Sequence, residues 1–326
     1  MKAIVIEQSG GPEVLAYRDV EAGEPAAGQV RVRVEAAGVN YIDTYQRSGL
    51  YPMPLPFTPG VEGAGVVDAV GDGVTGVAAG DRVVYVMTPG SYAELALVPA
   101  AHLVTIPEGI TTEAAGAAFL QGLTAHYLAC STYPLSPEST CLVLAAAGGV
   151  GLLLSQIAKR RGARVIGCVS SDAKAELARG AGCDEVIRYD QPHSEEADFK
   201  DEVMRLTGGR GVQVAYDSVA QATWRQSLGS LAPRGYLVLY GNASGPVTSL
   251  DPRVLNEGSY FVTRPTLTHY VQEEGELQSR ADDLFGWMAA GELDVRVHKR
   301  YPLPDAAQAH RDIQSRATSG KRLIIP

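Results

Sequence analysis

The chain has 326 residues, 45% hydrophobic and 20% charged, a length that predicts roughly two domains with cores large enough to need no disulfide or metal. A net charge of -9 argues against a nucleic-acid binder, whose affinity comes from positive charge. The four cysteines form no C-x-x-C pair and no apolar run reaches ~20 residues, which predicts a cytoplasmic protein without a membrane span.

The first hundred residues predict mainly strands. Residues 29–36 alternate strictly between polar and apolar side chains, as in a sheet with one wet face. Shorter strand-like runs follow at 65–70, 82–86, 92–98 and 103–106, and they are separated by turns rich in glycine and proline. Many short strands with such turns indicate a β-rich unit of the kind found in partly open barrels.

A tyrosine-rich stretch interrupts these strands. Three tyrosines occur within eleven residues, together with an asparagine and an aspartate. They predict an aromatic pocket with a few polar anchors, whose candidates are Asn40, Asp43, Tyr45 and Tyr51. A tyrosine-rich loop packed between domains explains the same composition.

Strands and helices alternate after a helix-like segment at 112–129. Strands are predicted at 140–145, 164–169, 185–187, 212–216 and 236–240, and helices at 149–161, 173–179, 195–206 and 222–231. This alternation predicts an α/β fold with a doubly wound parallel sheet. Gly162 and Gly180 stand where left-handed helix caps are expected. After about residue 265 the pattern becomes irregular, with helices at 277–290 and 305–316 and strands at 295–299 and 322–325.

A glycine-rich turn joins the strand at 140–145 to the next helix. In the pattern G-x-G-x-x-G, Ala146 takes the first place, followed by Gly148 and Gly151. Gly148 would let the backbone approach a pyrophosphate at the helix N-terminus, and Gly151 would let helix and strand pack closely. The alternative is a tight turn that only packs the helix on the sheet.

The end of the next strand favours NADP(H) over NAD(H). Proteins that bind NAD(H) have a carboxylate at the end of this strand, whereas this chain has Ser170 and Ser171 followed by Lys174. Hydroxyl groups and a cation suit the oxygens of a 2′-phosphate. Asp172 is interpreted as a helix N-cap, and an ordinary solvated helix lysine is the alternative for Lys174.

No metal site is expected. The histidines show no pair at i,i+4 and no cysteine at zinc-ligand spacing, so each is interpreted as a surface or polar-core residue: His102, His126, His193, His269, His298 and His310.

These motifs together resemble the zinc-free quinone oxidoreductases, the zeta-crystallin-like branch of the medium-chain dehydrogenase/reductase superfamily. The resemblance runs nearly end to end and is carried by residues 37–45, 47–51, 59–65, 79–83, 145–151, 240–245, 263–265 and 315–320. It implies a GroES-like β-barrel catalytic domain from 1–123 and 266–326, and a Rossmann cofactor domain at 124–265. Asn40 and Val61 stand where zinc-dependent relatives have a Cys and a His ligand, which agrees with the metal-free prediction.

The resemblance also implies functional residues. Asn40 and Tyr45 fall beside the nicotinamide, and Ser170, Lys174 and Tyr189 fall at the adenosine phosphate end. The remaining cofactor-binding candidates are Tyr127, Ala147, Gly148, Gly149, Val150, Ser218, Gly241, Asn242, Ser244 and Arg316. Ser170 replaces a glycine often found in the family, and it adds a donor. Lys321 and Arg322 replace smaller residues, with no consequence that the sequence reveals.

The resulting hypothesis is a homodimeric enzyme in which NADPH reduces a small-molecule quinone without a metal. The cofactor carries the chemistry by electron or hydride transfer from its nicotinamide, and protons come from solvent or a tyrosine. The dimer is expected to form through the exposed edge strand at 258–263. One alternative is an NADPH-dependent 2-alkenal/enone double-bond reductase, and another is a non-enzymatic, NADPH-binding structural or RNA-associated protein.

Overall fold

The computed structural model describes residues 1–189 and 199–326. The strands are Lys2–Val5 (β1), Ala16–Asp19 (β2), Gln29–Val39 (β3), Glu62–Val70 (β4), Arg82–Val86 (β5), Leu95–Pro99 (β6), Leu103–Thr105 (β7), Thr140–Leu144 (β8), Arg164–Val169 (β9), Glu185–Arg188 (β10), Val212–Asp217 (β11), Leu231–Leu239 (β12), Phe261–Thr263 (β13), Val297–Pro302 (β14) and Lys321–Ile325 (β15). The α-helices are Tyr41–Ser48 (α1), Thr112–Tyr127 (α2), Gly149–Arg160 (α3), Asp172–Gly180 (α4), Lys200–Leu206 (α5), Trp224–Gly229 (α6), Glu276–Ala289 (α7) and Ala306–Gln314 (α8).

Two compact units make up the chain. One contains Met1–Gln121 and Gln272–Pro326, and the other contains Gly122–Val271. The first unit is therefore built from both chain ends, and its bounds lie a few residues from the expected 123/124 and 265/266.

The first unit contains a seven-stranded sheet in the order β14-β15-β3-β4-β5-β7, with β6 also paired to β3. The alternating side chains of β3 bury one face against the apolar core, as the strict sequence alternation predicts. The C-terminal strand β15 pairs antiparallel with β3, and Arg322 lies opposite Val39. This register carries Lys321 to the end of β3, where Asn40 follows.

The second unit contains six parallel strands in the order β10-β9-β8-β11-β12-β13. This is the doubly wound Rossmann order, and the prediction of that fold is confirmed. The order reverses between β8 and β11. Ligands of such sheets bind outside the carboxyl ends of the strands at this switch point, so the loops after β8, β9, β11 and β12 are the segments of interest.

Some local predictions were wrong. The tyrosine-rich stretch is a helix, which excludes the loop that was one of its two open interpretations: the Asp43 carboxylate accepts the backbone N–H of Asn40 at 2.8 Å, and Gly49 ends the helix with φ 81°. Gly162 has the expected left-handed conformation, but near α4 that conformation belongs to Gly182 instead of Gly180. Residues 195–198 of the helix predicted at 195–206, and His193, lie outside the described residues.

Candidate active site

The turn between β8 and α3 is shaped to receive an anion. Ala145 takes a positive φ of 51°, and the N–H of Gly148 donates to the Ala145 carbonyl at 2.8 Å. Gly148 is the N-cap of α3 and has no side chain to cap the helix. The first N–H groups of α3, which Gly149, Val150 and Gly151 contribute, have no acceptor within the helix and lie at the positive end of its dipole. The backbone after Ala147 therefore fits a pyrophosphate.

The two glycines of this turn have different surroundings. A methyl group on Gly151 would lie 2.4 Å from the carbonyl oxygen of Ala145, deep inside contact distance of fixed backbone. A methyl group on Gly148 would lie 3.1 Å from the same oxygen. Close helix–strand packing thus depends on Gly151, while Gly148 has its remaining side open.

Hydroxyl groups and a cation meet after β9. The Lys174 ammonium donates to the Ser170 hydroxyl at 3.0 Å. Ser171, and not Asp172 as predicted, caps α4 by accepting the backbone N–H of Lys174 at 3.4 Å. Asp172 is the first residue of the helix, and its carboxylate pairs with Arg188 at 3.0 Å. This donor set fits a 2′-phosphate.

Tyr189 follows the neighbouring strand β10. Its backbone N–H donates to the Val169 carbonyl at 3.0 Å, and its ring lies 6.3 Å from that of Phe199. It is thus fixed near the carboxyl end of β9, where Ser170 follows.

The loop after β11 folds around a buried carboxylate, and Ser244 joins the loop after β12 to it. Asp217 accepts the backbone N–H groups of Val219 and Ala220 at 2.8 and 2.9 Å, and it also accepts hydroxyl groups from α6 and its start. The Ser244 hydroxyl donates to the Val219 carbonyl at 2.6 Å and accepts the N–H of Ala222 at 2.9 Å. The loop that carries Ser244 is thereby held against the end of β11.

Close backbone contact also joins these two loops. A methyl group on Gly241 would lie 2.4 Å from the carbonyl oxygen of Ser218, and the N–H of Ala243 donates to that oxygen at 3.1 Å. Three of the predicted cofactor residues, Ser218, Gly241 and Asn242, therefore lie in neighbouring loops at the carboxyl ends of β11 and β12.

Tyr127 ends α2, where the chain enters a π-helical turn at Leu128–Thr132. Its ring stacks on that of Tyr270 at 4.3 Å, and burial raises the pKa of its hydroxyl. The Thr132 hydroxyl donates to Tyr270 at 3.0 Å. These contacts place Tyr127 in a packed aromatic pair.

In the first unit, a row of three tyrosines lies on helix α1 and just after its end. The ring centroids of Tyr41 and Tyr45 lie 6.1 Å apart, and those of Tyr45 and Tyr51 lie 5.3 Å apart. The Tyr41 hydroxyl donates to the Ile313 carbonyl at 2.9 Å and has a hydrogen bond with Arg316. The structure therefore brings together three predicted residues, Tyr45, Tyr51 and Arg316, through Tyr41.

Asn40 belongs to a buried cluster that the sequence did not reveal. The Lys321 ammonium donates to Asn40 Oδ1 at 2.9 Å and forms a very short ion pair with Glu62. Asn40 Nδ2 donates to Glu62 Oε2 at 2.8 Å, and Glu62 Oε1 accepts the N–H of Leu120 at 2.6 Å. Burial lowers the pKa of Lys321, and the Glu62 carboxylate opposes that shift.

Asp43 belongs to a second buried chain of polar groups. Its Oδ2 atom accepts the Tyr92 hydroxyl at 2.9 Å. The Tyr92 oxygen lies 3.2 Å from His310 Nε2, and His310 Nδ1 lies 3.1 Å from Arg47. Because the Tyr92 proton points to Asp43, His310 donates from Nε2 and accepts from Arg47 at Nδ1, which requires a neutral ring.

The pKa values of this chain of groups agree with that assignment. Burial raises the pKa of Asp43 to about 7, against the hydrogen bonds from Asn40 and Tyr92. Burial, and then the charge of Arg47, lowers the pKa of His310 to about 3. Neither side chain has exposed surface, so both act from within the core.

We expect opposite pH slopes of stability from these two residues. Between 3.8 and about 7, native Asp43 retains a proton that the unfolded chain releases, so stability falls as pH rises. Between about 3 and 6.5, the unfolded chain protonates His310 and the native chain does not, so stability rises with pH. Each slope is about 1.4 kcal/mol per pH unit, and they largely cancel where they overlap.

Urea unfolding of single variants across this pH range tests the cancellation. Asp43→Asn should leave the rising slope, and His310→Gln should leave the falling one. Equal, flat profiles for both variants would contradict the two assignments.

Metal-ligating clusters and membrane-spanning helices are both absent from residues 1–189 and 199–326. Within these ranges, no group of three or more His, Cys, Asp or Glu side chains is arranged to hold a metal ion. None of the helices described combines the length and the hydrophobicity needed to cross a membrane.

Comparisons with known proteins match the chain along its whole length. Residues 26–108 match the family described as alcohol dehydrogenase GroES-like domain, and residues 149–277 match zinc-binding dehydrogenase. Quinone oxidoreductase of Pseudomonas aeruginosa is 48% identical over 100% of this chain and 99% of its own. A 2-haloacrylate reductase of Burkholderia sp. is 40% identical over 99% of this chain and 98% of its own. The structure of Escherichia coli quinone oxidoreductase complexed with NADPH has a TM-score of 0.96, 43% identity and full coverage of both chains.

Proposed function

This chain belongs to the quinone oxidoreductase family of the medium-chain dehydrogenase/reductase superfamily, and we propose that it reduces quinones with NADPH and without a metal ion. The observation that carries the proposal is the pairing of the Lys174 ammonium with the Ser170 hydroxyl at 3.0 Å, after β9 of a Rossmann sheet. A hydroxyl and a cation there suit a 2′-phosphate, the group that distinguishes NADPH from NADH.

The residues of the second unit hold the cofactor, which when bound supplies the reducing electrons, as a hydride or singly. The uncapped N–H groups at the start of α3 bind the pyrophosphate, and Gly148 lets it approach. Ser170, Lys174 and Tyr189 bind the adenosine phosphate end. The further cofactor contacts proposed are Tyr127, Ala147, Gly149, Val150, Ser218, Gly241, Asn242 and Ser244 and, outside this unit, Arg316.

The tyrosine row of the first unit receives the substrate. Tyr51 is 36% exposed and its ring lies against that of Tyr45, so the two offer an aromatic surface to a planar quinone. Protons for the quinol oxygens come from solvent or a tyrosine hydroxyl. Asn40 and Asp43 complete the proposed set as buried polar residues that hold the start of α1 and do not contact the substrate.

Steady-state rates with both cofactors test this function. We expect p-benzoquinone and phenanthrenequinone to be reduced faster with NADPH than with NADH, in the presence of a zinc chelator. An α,β-unsaturated aldehyde serves as the competing substrate. A dominant rate with the aldehyde would replace the quinone assignment with that of an alkenal reductase, a candidate favoured by the similarity to 2-haloacrylate reductase.

We also propose a cytoplasmic homodimer. Three of the four cysteines are buried as thiols, which suits a reducing compartment. In the described part of the chain β13 pairs only with β12, and Phe261 on this edge strand is 50% exposed. Its ring stacks on Tyr236 at 4.6 Å, so edge pairing with a second copy would cover both the strand and the ring.

Sedimentation tests the dimer. We expect a species of twice the 34.4 kDa chain mass, and Phe261→Lys should shift it toward the monomer because the charge would be buried at the pairing edge. Tyr17→Lys, at another exposed aromatic residue, is the control and should leave the mass unchanged. A wild-type monomer at micromolar concentration would exclude this assembly.

A further inference from the structure

The ammonium of Lys321 lies in the interior at the end of β3. The side chain is 1% exposed, and its two acceptors are Asn40 Oδ1 and Glu62 Oε2. A methyl group on Gly38 would lie 2.0 Å from the Glu62 carboxylate and 2.7 Å from the Lys321 nitrogen. The ion pair therefore lies directly against the backbone of Gly38, where no side chain would fit.

The carboxamide of Asn40 has its hydrogen-bonding capacity occupied within this cluster. Its oxygen accepts from Lys321 at 2.9 Å and from Gln121 at 3.3 Å. Its nitrogen donates to Glu62 at 2.8 Å and to the Gly38 carbonyl at 3.2 Å. An amide offers two donors and two acceptor positions, so none remains for a ligand in this arrangement.

The same residue begins helix α1. The backbone N–H of Asn40 donates to the Asp43 carboxylate, and the Asn40 side chain contacts Lys321 and Glu62. Rotation of the Asn40 carboxamide would break its contacts with Lys321 and Glu62. Asn40 immediately precedes Tyr41, so this loss would fall at the start of the helix. One turn later on the same helix stands Tyr45, whose ring meets Tyr51 at 5.3 Å.

We propose that Lys321 is a positioning residue for quinone binding, because it fixes the Asn40 carboxamide and, through it, the start of the helix that presents Tyr45 to Tyr51. Asn40 then serves the site by holding α1 and not by contacting the cofactor with its amide. The quinone in this inference rests on the proposed function, whereas the positioning of α1 by Lys321 does not.

A neutral double variant separates positioning from charge balance. Lys321→Met alone leaves Glu62 as a buried unpaired carboxylate, and we expect a loss in Tm on the order of 10 °C. Lys321→Met with Glu62→Gln removes both charges at similar volume, so Tm should largely recover. The side-chain amide that this second substitution introduces can either donate to or accept from Asn40, so the Asn40 carboxamide loses its single orientation.

Two readouts follow the double variant. The Tm of the double variant should be close to that of the wild type, yet the backbone amides of residues 40–51 should exchange their hydrogens faster in the variant. The kcat/KM for p-benzoquinone should fall about 10- to 100-fold, mainly through KM, while the Kd of NADPH stays unchanged. The control is Arg300→Gln with Glu113→Gln, which removes an exposed ion pair of the same unit and should alter neither readout.

Recovery of exchange protection and KM together with Tm would show that Lys321 only balances charge, and it would overturn the proposal. A wild-type protein that reduces no quinone would remove the proposed function instead. The exchange rates would then decide by themselves whether Lys321 positions α1.

Discussion

Lys174→Ala should weaken NADPH binding about 10- to 150-fold, which corresponds to the loss of a charge-assisted contact worth about 1.5–3 kcal/mol. The Lys174 ammonium is held beside the Ser170 hydroxyl after β9, where a 2′-phosphate would enter. NADH affinity should hardly change, because NADH lacks that phosphate. The variant should therefore bind NADPH and NADH with nearly equal affinity, whereas the wild type should prefer NADPH.

Fluorescence titration with both nucleotides measures this effect. The matched control is Arg179→Ala on the same helix, since Arg179 pairs with Glu176 on the solvent side. Its removal should leave both affinities unchanged. Equal losses of NADPH and NADH affinity in Lys174→Ala would mean that the lysine supports the fold of α4 and not the phosphate.

Gly151→Ala should lower the free energy of unfolding by about 3 kcal/mol and the Tm by roughly 10 °C. The added methyl group would lie 2.4 Å from the Ala145 carbonyl oxygen and 2.8 Å from the Ala146 Cα atom. Both are backbone atoms, so the strand end and α3 must separate. NADPH binding should weaken as well, because the N–H groups of α3 would be displaced from the turn.

Gly148→Ala is the matched comparison in the same turn. Gly148 has an ordinary φ of -73°, and its methyl group would meet the Ala145 oxygen only at 3.1 Å. We expect a much smaller change in Tm but roughly a tenfold or greater loss of NADPH affinity, since the methyl group would stand where the pyrophosphate approaches. Thermal unfolding with and without NADPH distinguishes the two variants. The same Tm loss in both would refute the separate roles.

Local patterns were sufficient for much of the fold. The strict alternation of residues 29–36 predicted β3, and the strand–helix alternation after residue 140 predicted the Rossmann unit. The glycine-rich turn predicted where α3 begins. Helix α1 was missed because its eight residues are mostly polar or aromatic, although Asn40 with Asp43 at its start and Gly49 at its end form a recognisable capping pattern.

The sequence by itself determined the strand–turn–helix of β8 and α3 and the pairing of Ser170 with Lys174, because these residues lie within a few positions of one another and local backbone geometry brings them together. Only the tertiary structure decided the surroundings of Asn40. Lys321 is 281 residues away along the chain, and Glu62 is 22. Their contact depends on the register of β15 against β3, which brings Lys321 next to Asn40. It also depends on the exclusion of water from the core, where Lys321 and Glu62 form a buried ion pair beside Asn40.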